Sequence, residues 1–543
     1  MNIKSFNKYY IKKYRLQFLL NIFFLVSCKI LEFFIPRVQS EMINELSLNI
    51  NSFYLNLAVL ILMLIMNIIF MFLGKVTSTK FSESISYDLR ERLNYKLYEI
   101  SSEDSKKLQL SQITSLLNKE IYAVDDFPLN IFDFVLNIIM IISISYTMLK
   151  TNTVISLIVF LIIVVYLILT NLISRRIKDL SHSVLDNNQE VINEIEESYN
   201  NNLLIKFFNA KNYSQKRFCR KNIDYRDNSM RLGYLYSLNS LVAFSTITVG
   251  LIFIWSIGGI AVLNNKMTVG DIWMITSYQS MLLAPVRFIT DFNNKYSMAT
   301  VSLERLNEIY NMKPENDGSI SMIKEISKIE LSNVSFNYGD ISLLNDINLT
   351  LNRGKIYLIV GKSGTGKTTL IKLLLGELNP CEGIVTYNDL NLDSLKKETY
   401  RNKIAYISNN TGFFEDSIIN NIDVNKAFSE GTVTEMFKEL DILDEITKLG
   451  GYLYKIEKMG SNLSTGQKVR LDFARNLLKG YSVIIIDEAI ASLDKKRKDI
   501  VYNILEKRKE DCIIIIISHD TNELQLADEI INLNNINSSV SSK

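Results

Sequence analysis

The sequence predicts two dissimilar halves: an all-α, six-helix transmembrane domain with long helical extensions on its cytoplasmic side, followed by an α/β domain built around a phosphate loop. Three observations carry this. Nearly all long apolar runs lie before residue 295, whereas the remainder alternates short apolar segments with polar and charged ones. Gly361-Lys362-Ser363-Gly364-Thr365-Gly366-Lys367-Thr368-Thr369 stands between the apolar run Ile356 to Val360 and the helix-like Leu370 to Leu375. Val483-Ile484-Ile485-Ile486-Asp487-Glu488 is a wholly apolar strand ending in two carboxylates, the appearance of a buried parallel strand.

The chain's 543 residues leave room for more than one domain, and its apolar share of 48% beside a charged share of 22% is an average over the two halves. A formal charge of +2, with no basic stripe interleaved with aromatics, argues against a nucleic-acid partner. Cys28, Cys219, Cys381 and Cys512 are scattered without the paired spacing of a zinc site or disulfide framework. They read as isolated thiols. Abundant Asn, Ile and Lys reflect a compositional bias, and Asn-rich patches carry no functional weight.

The first apolar run extends from about Leu16 to Pro36 behind Lys4, Lys8, Lys12, Lys13 and Arg15. It is too long for a signal-peptide core and further spans follow it, so it is read as the first membrane helix. Five more spans are expected at about 54–74, 129–149, 153–173, 238–263 and 272–293. Lys150-Thr151-Asn152 leaves only a tight hairpin between the third and fourth, and a short loop with Lys266 and Asp271 joins the fifth and sixth. Lys and Arg concentrate in the N-terminal tail and in 75–128 and 174–237, which places both termini in the cytoplasm of a multi-pass protein of the plasma membrane. Those two segments have helical periodicity, as in Leu89, Leu93 and Leu97, so the membrane helices are expected to continue as hairpins beyond the bilayer.

Ionisable residues fall inside the spans, each costing roughly 2.5–3.5 kcal/mol if left facing lipid at its centre. Lys29 and Glu32, three apart, are expected to pair on one helix face. Asp133 in the third span, with Arg287 and Gln279 in the sixth, are candidates for lining a cargo cavity, and Asp133 or Asp291 is the expected counter-charge to Arg287; Pro285 is expected to break the sixth helix nearby. The transmembrane domain is taken as 1–310, the linker as 311–328 and the soluble domain as 329–543.

In the soluble half the phosphate-loop glycines let backbone N–H groups turn around a polyphosphate at a helix N-terminus. Lys367 is expected to reach the β and γ phosphates, and Thr368 to ligate magnesium. Asp487 suits the same magnesium, and Glu488 is placed to polarise an attacking water. Tyr338 presents an aromatic face for a purine. The strand Cys512 to Ile517 delivers Ser518-His519-Asp520, whose His519 is a γ-phosphate contact candidate; His182, the other histidine, reads as a surface residue. Leu463-Ser464-Thr465-Gly466-Gln467 opens a second helix suited to an anion.

With Ala491-Ser492-Leu493-Asp494 following Glu488, this ordered set resembles an ATP-binding cassette exporter half-transporter over nearly the whole chain. The resemblance implies a dimer that sandwiches ATP and Mg2+ between the phosphate loop of one chain, Gly361 to Thr369, and the Ser464, Gly466 and Gln467 signature of the other. It assigns catalysis to Glu488, His519 and Lys367, metal contacts to Thr368, Asp487 and Asn409, the adenine stack to Tyr338, and communication between sites to Asp494. Segments 103–113 and 199–211 would be coupling helices. Asn409 stands where relatives usually have glutamine, Thr465 replaces a signature glycine, and Lys458 replaces a frequent glutamate. A homodimer is favoured and a heterodimer remains open. The expected activity is ATP-driven export of a small peptide or peptide-like natural product, without processing of the cargo. Multidrug or lipid export, or an ATP-gated regulatory membrane protein, are the alternatives.

Overall fold

The computed structural model describes residues 2–46, 50–101, 104–105, 108, 110–315, 317–322, 324–339, 341–362, 364–409, 412–518 and 526–534. The chain forms two compact units, Met1–Tyr95 with Leu110–Asn311, and Lys96–Gln109 with Met312–Lys543.

The first unit is helical. A short helix α1 (Ile3–Lys13) precedes α2 (Arg15–Glu45), α3 (Ile50–Glu99), α4 (Phe127–Thr151), α5 (Thr153–Asn200), α6 (Lys211–Leu263) and α7 (Val269–Tyr310). Helices of up to 53 residues carry the chain well past one bilayer thickness, as the periodicity outside the spans predicts. Asn152 alone separates α4 from α5: its backbone leaves the helical region and its side chain caps α5 by accepting from Ile155 N–H at 3.1 Å. Thr268 and Asp271 form a reciprocal capping box that starts α7.

Among the described residues, five helices are long and apolar enough to cross a membrane; α7, the expected sixth span, is not among them. Its first half alternates apolar residues with Asp271, Ser277, Gln279 and Ser280, and Arg287 and Asp291 follow. A helix packed among neighbours tolerates such groups where a lipid-facing one does not. Pro285 does not break α7, because only the bond its missing N–H would have made is lost and the flanking turns continue. Met140, Ile144, Ile155, Val159, Ile254, Ile275 and Tyr278 form the bundle core. Large side chains such as Leu62, Ile68, Met71 and Phe72 remain exposed, which fits a hydrocarbon surround. Outside the spans, Glu194 is buried between α5 and α6, where Arg217 and Lys221 reach it at 3.1 and 3.2 Å.

The second unit holds two sheets. One is antiparallel, in the order β2 (Ile341–Asn352), β1 (Lys328–Tyr338), β4 (Glu382–Tyr387), β5 (Leu390–Asn391). The other is parallel throughout, in the order β6 (Ile404–Ser408), β7 (Val483–Asp487), β8 (Ile513–Ile517), β3 (Lys355–Val360), β9 (Glu529–Asn532). Strand β8 is five isoleucines, all buried, as expected where both faces of a parallel sheet are covered. The helices that matter for the site are α8 (Lys367–Leu374), α9 (Glu430–Glu439), α10 (Leu443–Leu449), α11 (Thr465–Leu477) and α12 (Lys495–Arg508).

The segment expected as a linker is packed. Met322 and Ile326 are buried in the core with Ile329 and Leu331, and Glu315 binds Arg401 at 2.6 and 2.9 Å and Lys397 at 3.0 Å. Within this unit, Glu315 N–H also donates to Glu99 O at 2.7 Å.

Candidate nucleotide site

Strand β3 ends at Val360 and α8 starts at Lys367, so the glycine-rich residues form the intervening turn. Gly366 is left-handed (φ 95°) and a Cβ there would approach Leu344 Cδ2 at 2.8 Å, so glycine is required on two counts. Gly364 is left-handed as well (φ 85°). Thr365 Oγ1 closes the turn by donating to Lys362 O at 2.9 Å. Lys367 is buried in the cradle, its Nζ donating to Gly361 O at 2.6 Å; burial lowers its pKa against the opposing pull of Glu488 and Asp487. Thr368 lies exposed on the first turn of α8, while Thr369 is buried. Ser363 and His519 lie outside the described residues; Ser518, which directly follows β8, is buried.

The carboxylates come from β7. Ser408 is in register with Asp487 across the β6–β7 pair, which brings two β6-derived side chains to the acids. Tyr406, whose phenol burial pushes up to about 12, donates to Asp487 Oδ2 at 3.3 Å, and Asn409 Nδ2 donates to the Glu488 carbonyl at 2.8 Å. Burial raises the Asp487 pKa, so its charged form gains from a nearby cation. Glu488 is left-handed (φ 55°), and its N–H donates to Ile517 O at 3.1 Å. A side chain rarely adopts that backbone conformation, and bonds on both sides of the residue hold it there. Tyr338, 47% exposed at the end of β1, stands edge-on to Phe336 with a centroid distance of 4.9 Å, leaving a ring face for a base.

Ser464 caps α11. It accepts from Gln467 N–H at 3.3 Å, and Gln467 Oε1 accepts from Ser464 N–H at 2.9 Å. Gln467 is therefore committed to the cap, while the Ser464 hydroxyl keeps its proton to donate. Thr465 sits at the first helical position, and Asp494 caps α12 by accepting from Arg497 N–H at 3.0 Å. Lys458 opens a single 3-10 turn whose Met459 is left-handed (φ 55°). Glu445, Arg470 and Arg497, which the motifs did not point to, join this region. Arg470 lies one turn beyond Gln467 on α11, a spacing that helical periodicity offers; Glu445, in a polar stretch before the signature, carries no local signal.

The family model described as ABC transporter transmembrane region matches residues 18–286, and the one described as ABC transporter matches residues 344–491. This chain belongs to the ABC transporter family. Its fold is also that of a bacterial Atm1-family ABC exporter with ATP bound, with a TM-score of 0.80, 18% identity and coverage of 96% of this chain and 94% of that one. The ATP-dependent lipid A-core flippase of Francisella novicida is 28% identical over 373 residues, which are 66% of this chain and 62% of the relative. The flippase of the same description from Yersinia pestis is 26% identical over 382 residues, 69% of this chain and 66% of the relative. The chain thus matches less than two thirds of the length of these ABC transporter relatives.

In the membrane unit of this ABC transporter the expected cargo residues have different surroundings. Gln279 is 2% exposed and faces α6, donating to Thr246 O and Ile247 O at 3.2 and 3.3 Å in a notch at Gly250, so it does not line a cavity. Arg287 and Asp291 are mostly exposed and 3.9 Å apart. Asp133 is half-buried on α4, within electrostatic reach of Lys29 and Lys295. Lys29 pairs with Glu32 at 3.3 Å. The segment 199–211 contains a short helix, Asn202–Phe207, with Leu203 and Phe207 exposed. The segment 103–113 lies partly outside the described residues.

Proposed function

We propose that this chain is an ATP-driven exporter of an amphipathic lipid, acting as a homodimer of half-transporters in a bacterial plasma membrane. The observation that carries the ATPase reading is the convergence on one sheet end of the Lys367 cradle and the β7 carboxylates, in a chain that also has a helical membrane unit. Lys367 would hold the β and γ phosphates, Tyr338 the adenine, and Ser464 with Gly466 the phosphates on the facing chain. Thr368 and Asp487 suit magnesium, because the burial that raises Asp487 favours a cation beside it; bound there, the ion would neutralise phosphate charge. Glu488 would take up the proton of the attacking water.

Lipid replaces peptide as the expected cargo for two reasons. The relatives above are described as lipid A-core flippases, and Arg287 has Asp291 as a neighbour, which offsets the positive charge a peptide carboxylate would seek. Two lines of experiment test the reading. Glu488→Gln should reduce ATP turnover at least about 100-fold while ATP still binds, and unchanged turnover would overturn the catalytic assignment. For the cargo, lipid-reconstituted protein should show ATPase stimulation by amphipathic lipids and not by peptides, with little change in Arg287→Ala. Stimulation by peptides alone, abolished by that substitution, would restore the peptide reading.

A further inference from the structure

Glu445 lies in the first turn of α10, about a quarter exposed, and receives donors from two other helices. Arg470 Nη2 of α11 is 2.8 Å from both of its oxygens, Gln467 Nε2 is 3.1 Å from Oε2, and Arg497 Nη2 of α12 is 2.5 Å from Oε1. Arg470 is 2% exposed, and its other nitrogens donate to Asp441 O at 2.6 Å and Gly466 O at 3.3 Å. Arg497 Nη1 in turn reaches Asp494 Oδ2 at 2.5 Å. One carboxylate thus stands between two guanidinium groups, one gripping the start of the signature helix and the other the Asp494 cap. Its pKa is lowered: burial would raise it, but the bonds from Arg470 and Gln467 outweigh that.

We infer that Glu445 is a positioning residue for nucleotide turnover, holding the Ser464–Gly466 end of α11 and the Asp494 turn at a fixed separation within one chain. The inference rests on the ATPase reading above, and it adds a residue that lies outside the sequence motifs. The physical reason is charge. Without the carboxylate, Arg470 is a buried cation lacking its counter-ion, and it confronts Arg497 with no negative charge between them. The guanidiniums then repel, and Asp494 moves with Arg497. Ser464, Gly466 and Asp494 do not belong to the phosphate cradle of their own chain, so the loss falls on turnover and not on first binding of ATP.

The test uses full-length protein in lipid. Glu445→Gln keeps the shape and removes the charge; it should lower kcat about tenfold or more with KM and the affinity for a fluorescent ATP analogue within about twofold of the parent. Glu445→Asp should recover part of the loss. Should Glu445→Gln fail to fold, Arg497→Gln, which cuts only the Asp494 arm, should show the same split between kcat and KM. Normal kcat in whichever of these variants folds overturns the inference, as does a fall in kcat accompanied by an equal loss of ATP affinity, the mark of a merely structural role. Glu488→Gln run in parallel separates the two levels. If that variant keeps its turnover, the ATPase reading fails; if it is inactive while the Glu445 and Arg497 variants are normal, only this inference fails.

Discussion

Asn409 shows how one hydrogen bond changes the meaning of a substitution. A glutamine shortened by one carbon suggests a weakened metal contact, yet here Asn409 Nδ2 donates to the Glu488 carbonyl and helps hold that residue in its left-handed conformation. Asn409→Ala should lower kcat about five- to tenfold, the worth of one hydrogen bond of ~1 kcal/mol, in a steady-state ATPase assay. An unchanged kcat would show the bond to be dispensable. Glu315 makes a different prediction. Burial would raise its pKa, but hydrogen bonds from Arg401 and Lys397 prevail and hold it below the usual glutamate range. A depressed folded pKa stabilises above the unfolded value, near about 4.3, and the contribution disappears as pH falls through the folded pKa. Glu315→Gln should therefore lower the melting temperature at neutral pH, and the difference from the parent should shrink below about pH 4.

Between elements, the contact of α6 with α7 depends on one missing side chain. A Cβ at Gly250 would stand 1.8 Å from Gln279 Nε2, so Gly250→Ala must displace Gln279 from its two carbonyl acceptors. Overpacking of this kind costs about 1–3 kcal/mol, and thermal unfolding in detergent should show it. The double variant Gly250→Ala with Gln279→Ala should melt higher than Gly250→Ala alone, because the space is restored. A double variant no more stable than the single would mean that Gly250 matters for another reason. The cap of α11 is a second case. Ser464→Ala removes an acceptor worth about 1 kcal/mol to the helix. It should also remove a phosphate donor, so turnover should fall by more than the cap alone explains.

For the whole molecule, each chain carries both a phosphate cradle with Glu488 and a signature with Ser464 and Gly466, so two copies would form two equivalent composite sites. Co-expression of tagged and untagged copies should recover both on one affinity step. Recovery of a different half-transporter in place of the untagged copy would favour the heterodimer.

What the sequence determined by itself is what depends on neighbours along the chain. The phosphate loop, the β7 carboxylates, the signature cap and the long helices are patterns of adjacent residues, and their local physics holds wherever they fold: left-handed glycines at a turn, apolar runs in a buried sheet, Ser464 capping its own helix. Tertiary structure decided what depends on partners distant in sequence. Gln279 reads as a cavity residue from its own span and is a clamp because Gly250 leaves it room; the segment after Asn311 reads as a linker and is packed because Arg401 and Lys397 meet Glu315. Glu445 has no motif at all. Its importance arises when α10, α11 and α12 bring two arginines to one carboxylate, and such a meeting is fixed by packing between helices, which no run of adjacent residues encodes.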